Sequence, residues 1–384
     1  MALQTPVYLD HHATTPIDPR VLDLLQRVQK DHFGNPASAG HAFGWAAARL
    51  AEEARERVAH LIGGSAREII FTSGATEADN LALLGVAEAY GSKGRHIVTS
   101  NLEHEAVRGP LAEFERKGGR VTIVAAGPDG RVSAGDIASA LRPDTILVSI
   151  MAAQNEIGTL QPLARIGRIC KERGVLFHTD AAQAAGRISL DVERDGIDLM
   201  SLSSHKIYGP KGVGALYVRR RDPRVALTPL MFGGGQERNL RPGTLNVPGI
   251  AAFGEACRLA EEEMNDEAPR LLGLRDQLWL ALDGALDGVF LNGSYEERLA
   301  GNLNVSFDGI RAHRLLGALT VLAVSSSSAC SSIETRPSAI LEAIGVPREL
   351  AMASLRIGLG RFTTAGEVDF AAEKIIEAVN RLRC

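Results

Sequence analysis

Short apolar runs in this sequence repeatedly end in residues able to do chemistry. "EIIF" (68–71) is followed by Ser73, Gly74, Ala75 and Thr76, and "HIVTS" (96–100) by Glu103 and His104. "TILVSIM" (145–151) leads to Gln154 and Asn155, "VLFHT" (175–179) to Asp180 and Gln183, and the run at 198–202 to Ser203, Ser204, His205 and Lys206. In open α/β sheets, ligands bind outside the carboxyl ends of the strands, so these are positions from which side chains can meet. Taken singly, each has an ordinary structural explanation. A Ser-Gly-Ala-Thr turn caps a helix, an Asp after a strand does the same, and a lone lysine is a solvated charge.

Taken together, they describe one binding site. Small hydroxyls and free N–H groups at a helix N-terminus, here at Ser73–Thr76, make a phosphate seat. Thr76, Ser203 and His205 complete it from the side. The Asp180 carboxylate suits a pyridinium nitrogen, His104 a stacking contact with the ring face, and Gln183 the phenolic oxygen. Lys206, partly desolvated at a strand end, has its ammonium disfavoured and is able to condense with an aldehyde. Phosphate seat, ring-nitrogen acid and lysine together point to pyridoxal 5'-phosphate. A nucleotide loop fits worse, because no G-x-x-x-x-G-K-[ST] is present. "GGGQER" (233–238) lacks the flanking strand and helix of a dinucleotide turn.

The elements that must position these residues alternate along the chain. "WAAARLAEEARERVAHLIGG" carries Leu50, Ala54, Val58 and Leu61 on one stripe and stops at a glycine pair. The apolar runs above, with "GALYV" (214–218), are separated by helical patterns or tight turns. This predicts an α/β fold with a mostly parallel central sheet and helices on both faces. After about residue 265 the texture changes, through a charged stretch into long amphipathic segments, the strand-like "NLNVSF" and a closing helix. The expected organisation is a large cofactor-binding domain over 16–262. Residues 1–15 and 263–384 form a smaller α+β domain, joined by a helix rather than a loose linker.

Bulk properties narrow the function class. The 384 residues are 45% apolar and 23% charged, with a net charge of −4, so nothing favours direct binding to nucleic acid. The basic run "RRRDPR" (219–224) follows a strand and reads as a solvated turn. No signal peptide is visible, and no apolar run approaches the roughly 18 residues of a membrane span. Four cysteines argue against a disulfide framework and for a reducing compartment, hence a cytoplasmic protein. No Cys or His spacing suggests a metal. Cys170 and Cys257 fall on apolar helical faces and read as core thiols, while Cys384 ends the chain. Cys330 differs. It sits in "AVSSSSACSS" (323–332), either a flexible spacer or an arm that delivers a nucleophile.

The chain resembles the cysteine desulfurases of the class V aminotransferase group, the NifS/IscS-like type with the fold type I architecture. The resemblance covers nearly the whole sequence and rests on "YLDHHATTP", "FGNPAS", "FTSGATEADN", "NEIGTLQP", "FHTDAAQAAG", "SLSSHKIYGPKGVGALYVR", "GGGQERNLRPGT", "NLNVSF", "SSSACSS" and "LRIGLGRFTT". It implies Lys206 as the cofactor lysine, with His104, Asp180 and Gln183 around the ring. It places Ala75, Thr76, Ser203 and His205 at the phosphate. Thr244 would reach the phosphate of a neighbouring subunit, making a homodimer part of the site. Asn155 and Arg356 match contacts to the substrate carboxylate, a role the planar guanidinium suits. The competing reading of Arg356 is a buried ion pair.

By the same resemblance, Cys330 is the nucleophile. It would take sulfur from L-cysteine as a persulfide, release L-alanine, and pass the sulfur to an acceptor protein such as an iron–sulfur scaffold or a thiolation enzyme. On this reading the 323–332 stretch is a delivery arm. Family members commonly have glycine where this chain has Ser327, which implies a somewhat stiffer arm. The chain also stops soon after "NRLRC", short of the tail that helps some members bind a scaffold, which leaves the acceptor open. The alternative activity is a lyase acting on selenocysteine or cysteine sulfinate. A catalytically silent scaffold role is disfavoured by the intact Lys206, Asp180, His104 and Cys330.

Overall fold

The computed structural model describes residues 3–326 and 337–384. The chain begins with a two-residue strand, β1 (Val7–Tyr8), and two helices, α1 (Pro19–Asp31) and α2 (Ala42–Leu61). Strands and helices then alternate: β2 (Ile69–Thr72), α3 (Ala75–Ala89), β3 (His96–Ser100), α4 (Glu105–Arg116), β4 (Arg120–Val124), α5 (Ala134–Ala140), β5 (Thr145–Ser149), α6 (Leu163–Arg173) and β6 (Leu176–Asp180). β7 (Leu199–Ser203) and β8 (Gly214–Val218) complete a seven-stranded sheet in the order β2-β8-β7-β6-β5-β3-β4. Only β8 runs antiparallel to its neighbours. The expected mostly parallel α/β sheet is what forms.

Six of these strands are buried along their whole length, which is why they read as unbroken apolar runs. β4 was not anticipated. It is an edge strand whose Arg120 and Ile123 face solvent, so "RVTIV" carries no continuous apolar signal. The α2 stripe is also rotated from expectation. Gly44, Ala47, Ala51 and Ala54 are buried while Leu50 and Leu61 are only half-buried, because small residues let α2 approach its neighbour closely. A Cβ on Gly254 would come within 2.5 Å of the Ala54 Cα.

That neighbour is α7 (Val247–Ala285), a 39-residue helix with Pro269 in its interior. Ile250, Phe253 and Ala256 of its first half pack into the core beneath the large sheet. Leu271, Leu278 and Leu282 of its second half join a separate core with Val7, Val305, Phe307 and Leu355. Around that second core lie β9 (Val289–Leu291), β10 (Asn302–Phe307), α8 (Ala312–Ala318), β11 (Leu322–Ala323) and β12 (Ser325–Ser326). They are followed by α9 (Ala339–Ala343), α10 (Arg348–Ala351), β13 (Ser354–Gly358) and α11 (Ala365–Arg383). Four of these strands form a sheet in the order β12-β13-β10-β9, and β1 pairs with β11.

The basic run at 219–224 departs from a simple solvated turn. Arg219 is buried, with its guanidinium 2.9 Å from Glu193 and 3.0 Å from Asp198, whereas residues 220–224 are exposed. Cys170 and Cys257 are core thiols, as expected, and burial pushes the Cys170 thiol up to about 12. Among the described residues, no helix is long and apolar enough to cross a membrane.

Candidate active site

The carboxyl ends of β2, β3, β5, β6 and β7 open on a cavity of about 530 Å³. Ala75, Thr76, His104, Asn155, Asp180, Gln183, Ser203, His205, Lys206 and Arg356 all line it. Ten side chains spread over 282 positions of sequence are thus gathered by the sheet into one space. Thr244 is not among them. It lines a different cavity with Asn35 and Glu237. Cys330 and Ser327 lie outside the described residues.

One wall is the start of α3, where no side chain caps the helix. Gly74 at the N-cap has φ of 151°, a region that disfavours other residues, and a Cβ on Gly214 would meet the Gly74 Cα at 2.7 Å. The glycines let the turn lie against β8 with its first N–H groups facing the cavity, where an anion is favoured. His205 flanks this wall, its Nδ1 3.0 Å from the Thr14 hydroxyl. Burial, helped by Lys206 and Lys211, lowers its pKa to about 4, so the ring is neutral.

Lys206 ends a short helical turn after β7, and its ammonium donates to the carbonyls of His12 (2.7 Å) and Ala13 (2.8 Å). Burial lowers its pKa to about 8, with Arg187 and Arg356 adding repulsion. Asp180, at the end of β6, accepts from the Ala182 N–H at 2.9 Å and is 5% exposed. Burial raises it to about 7, and the nearby Asp79 carboxyl adds to the shift. Among the described residues no Lys, Arg or His nitrogen forms a direct ion pair with it, and Lys206 acts on it only at longer range. His104 is the N-cap of α4, its Nδ1 accepting from the Ala106 N–H at 3.1 Å, so a neutral ring carries its hydrogen on Nε2.

Arg356 and Asn155 are adjacent, with the guanidinium donating to the Asn155 carbonyl at 3.3 Å. The same guanidinium pairs with Asp10 at 2.9 Å, so the ion-pair reading of Arg356 also holds, within the cavity wall. Gln183 differs from expectation in detail. Its Nε2 donates to the His12 carbonyl at 2.8 Å and its Oε1 accepts from Arg187 at 3.0 Å, which leaves one amide hydrogen for a ligand.

Sequence reasoning missed the second row behind these groups. Arg187 donates to His12 Nδ1, Gln183 and the carbonyls of His11 and Lys206. His12 Nδ1 lies between the Arg187 donor and the Gln183 Oε1 acceptor, 3.2 Å from the latter, and its Nε2 is buried on the cavity wall with no partner among the described residues. Asp79, also missed, and Glu103, which the sequence did place after the 96–100 run, are fully buried acids, raised by burial to about 7 and 8. Residues 10–12 approach from 171 to 347 positions away, so no local pattern marked them. The "HH" pair in the first motif was the only visible signal.

These residues fit pyridoxal phosphate: an uncapped helix N-terminus for the phosphate, a partly deprotonated lysine for the aldehyde, and an unpaired buried acid for the ring nitrogen. The class-V aminotransferase family profile matches residues 7–370. The cysteine desulfurase IscS of Anaeromyxobacter sp. (strain Fw109-5) is 52% identical over 381 residues, covering 99% of this chain and 94% of that protein. IscS of Pseudomonas aeruginosa (strain LESB58) is 50% identical over 383 residues, with the same coverage. Among solved structures, a NifS-like protein superposes with a TM-score of 0.91 at 39% identity, covering 98% of this chain and 99% of its own. The chain belongs to the class-V aminotransferases and, within them, to the pyridoxal-phosphate-dependent cysteine desulfurases.

Proposed function

We propose that the cavity residues divide the desulfurase reaction among themselves and deliver sulfur from L-cysteine to Cys330. The observation that carries this is the presence of Lys206, Asp180 and the start of α3 in one cavity. When bound, pyridoxal phosphate supplies an aldehyde that condenses with amines and a protonated ring that draws electrons from the substrate's Cα. The N–H groups at Ala75 and Thr76, with Ser203 and His205, hold the phosphate. Asp180 keeps the ring nitrogen protonated, because its buried charge gains a cationic partner there. His104 would stack on the ring, and the remaining amide hydrogen of Gln183 would donate to the phenolic oxygen.

Arg356 and Asn155 hold the substrate's carboxylate. Lys206, as a free amine, would move the proton at the substrate's Cα. The Cys330 thiolate attacks the substrate sulfur. An S–S bond forms as the C–S bond breaks, the electron pair goes to carbon, and a proton follows to give L-alanine. The persulfide left on Cys330 then passes to an acceptor protein, of which an iron–sulfur scaffold is the favoured kind.

A homodimer belongs to this reading, with Thr244 of the partner subunit reaching the phosphate. Phe33 and Phe43, stacked 5.4 Å apart and exposed, support it, as does exposed Trp45. Apolar surface of this kind marks a partner's footprint. A cytoplasmic location and the division into 16–262 and the remainder belong to the same reading.

Replacing Cys330 tests the delivery step. Cys330→Ala is expected to bind cofactor and L-cysteine normally yet release no sulfide under reductant. Full turnover by that variant on L-cysteine would contradict the assignment.

A further inference from the structure

Arg356 does not wait for its substrate unpaired. It sits in β13, and three segments converge on it. β10 occupies one edge of β13, placing Asn304 opposite Arg356. On the other edge β12 places Ser325 opposite Arg356, and the segment after β1 bridges at Asp10 to Gly358. Asp10 uses both carboxylate oxygens. One takes the Arg356 Nη2 at 2.9 Å and the other accepts from the Ser325 hydroxyl at 2.8 Å. The Arg356 side chain is 6% exposed, and its Nε has no partner among the described residues.

A carboxylate recognised by a guanidinium prefers two parallel N–H donors. With Nη1 turned to the Asn155 carbonyl, the remaining fork is Nε with Nη2, and Asp10 holds half of it. An incoming carboxylate must displace Asp10 from Nη2 or share that nitrogen with it. Either way, two negative charges meet on one cation in a partly desolvated wall.

We propose that Asp10 is an internal competitor for the α-carboxylate of the amino-acid substrate, a specificity-determining residue that weakens ground-state binding at Arg356. The proposal rests on the reading of Arg356 as the carboxylate contact. On displacement, Asp10 keeps the Ser325 hydroxyl as its remaining partner. The competition discriminates by charge. An amino acid with a free carboxylate overcomes Asp10 by taking both Nε and Nη2, whereas its neutral amide cannot.

The test is the affinity of the cofactor-loaded protein for L-alanine, the amino-acid product, and for L-alaninamide, followed by the cofactor's absorbance change. Asp10→Asn preserves size and a hydrogen bond to Ser325 but removes the charge. It is expected to bind L-alanine on the order of tenfold more tightly, with little change for L-alaninamide. A gain of affinity is not a result that structural damage produces. Unchanged or weaker L-alanine binding would overturn the proposal. Arg356→Gln separates the two readings. If it leaves L-alanine binding intact, the carboxylate assignment has failed and the proposal falls with it. If it weakens binding while Asp10→Asn brings no gain, only the role of Asp10 has failed. Should Asp10→Asn not fold, a structure of the natural protein with L-alanine decides. The Asp10–Arg356 contact is expected to open beyond about 4 Å, and an intact contact would overturn the proposal.

Discussion

An ammonium is a poor nucleophile, and the surroundings of Lys206 work against keeping one. Burial and two arginines bring its pKa to about 8 rather than the ordinary lysine value of 10.5, so the free amine is available two decades of proton concentration earlier than in water. The rate at which pyridoxal phosphate enters the cofactor-free protein should therefore rise with pH through about 8 and level off above it. A rise centred near the ordinary lysine value would contradict this. Arg356 works through geometry rather than titration. Charge-assisted hydrogen bonds contribute about 1.5–3 kcal/mol, so Arg356→Ala should raise KM for L-cysteine on the order of 10- to 100-fold, visible in steady-state kinetics. The acids behind the ring carry a different signature. Asp79 is raised to about 7 from 3.8, so the folded state binds its proton more tightly than the unfolded chain does. The stability it contributes is full below about 4 and lost as pH rises through about 7. Asp79→Asn should accordingly melt above the natural protein near pH 8 and show a smaller difference near pH 5.

At the level of elements, the strand ends did most of the placing. Fully buried parallel strands announce themselves as apolar runs, so the residues that follow them could be read as a set, and eleven of those named share one cavity. What was hidden came from elements without such a pattern. β4 exposes two of its five residues, α2 packs on alanines rather than leucines, and Asp10 and His12 reach the site from β1's short extension. The turn at 236–239 is another case. Glu237, Arg238 and Asn239 all have positive φ, which only the asparagine of "QERN" advertises. The Glu237 carboxylate holds that conformation by accepting from Arg55 at 2.7 and 2.8 Å and from the Phe71 N–H at 2.7 Å. Removing one partner of a buried pair typically costs about 3–5 kcal/mol. Glu237→Ala should lower the melting temperature markedly and, because the turn leads to Thr244, weaken cofactor retention as well.

At the scale of the molecule, α7 spans two cores and joins the sheet that carries the cofactor residues to the one that carries Arg356. The proposed homodimer adds Thr244 from the partner's side, and pairing two defective chains tests that arrangement. Lys206→Ala and Thr244→Ala chains, each impaired alone, would form mixed dimers in which one site has both residues intact if the contact crosses subunits. Co-expression should then recover roughly a quarter of the natural activity by random assortment. A site built within one chain would recover none. The central claim is that Lys206 meets the aldehyde beside Asp180, and it is tested most directly by reducing the cofactor-loaded protein with borohydride and mapping the modified peptide. The account expects the pyridoxyl group on Lys206 alone, and no fixed label in Lys206→Ala. A label on Lys211 or any other lysine would contradict it.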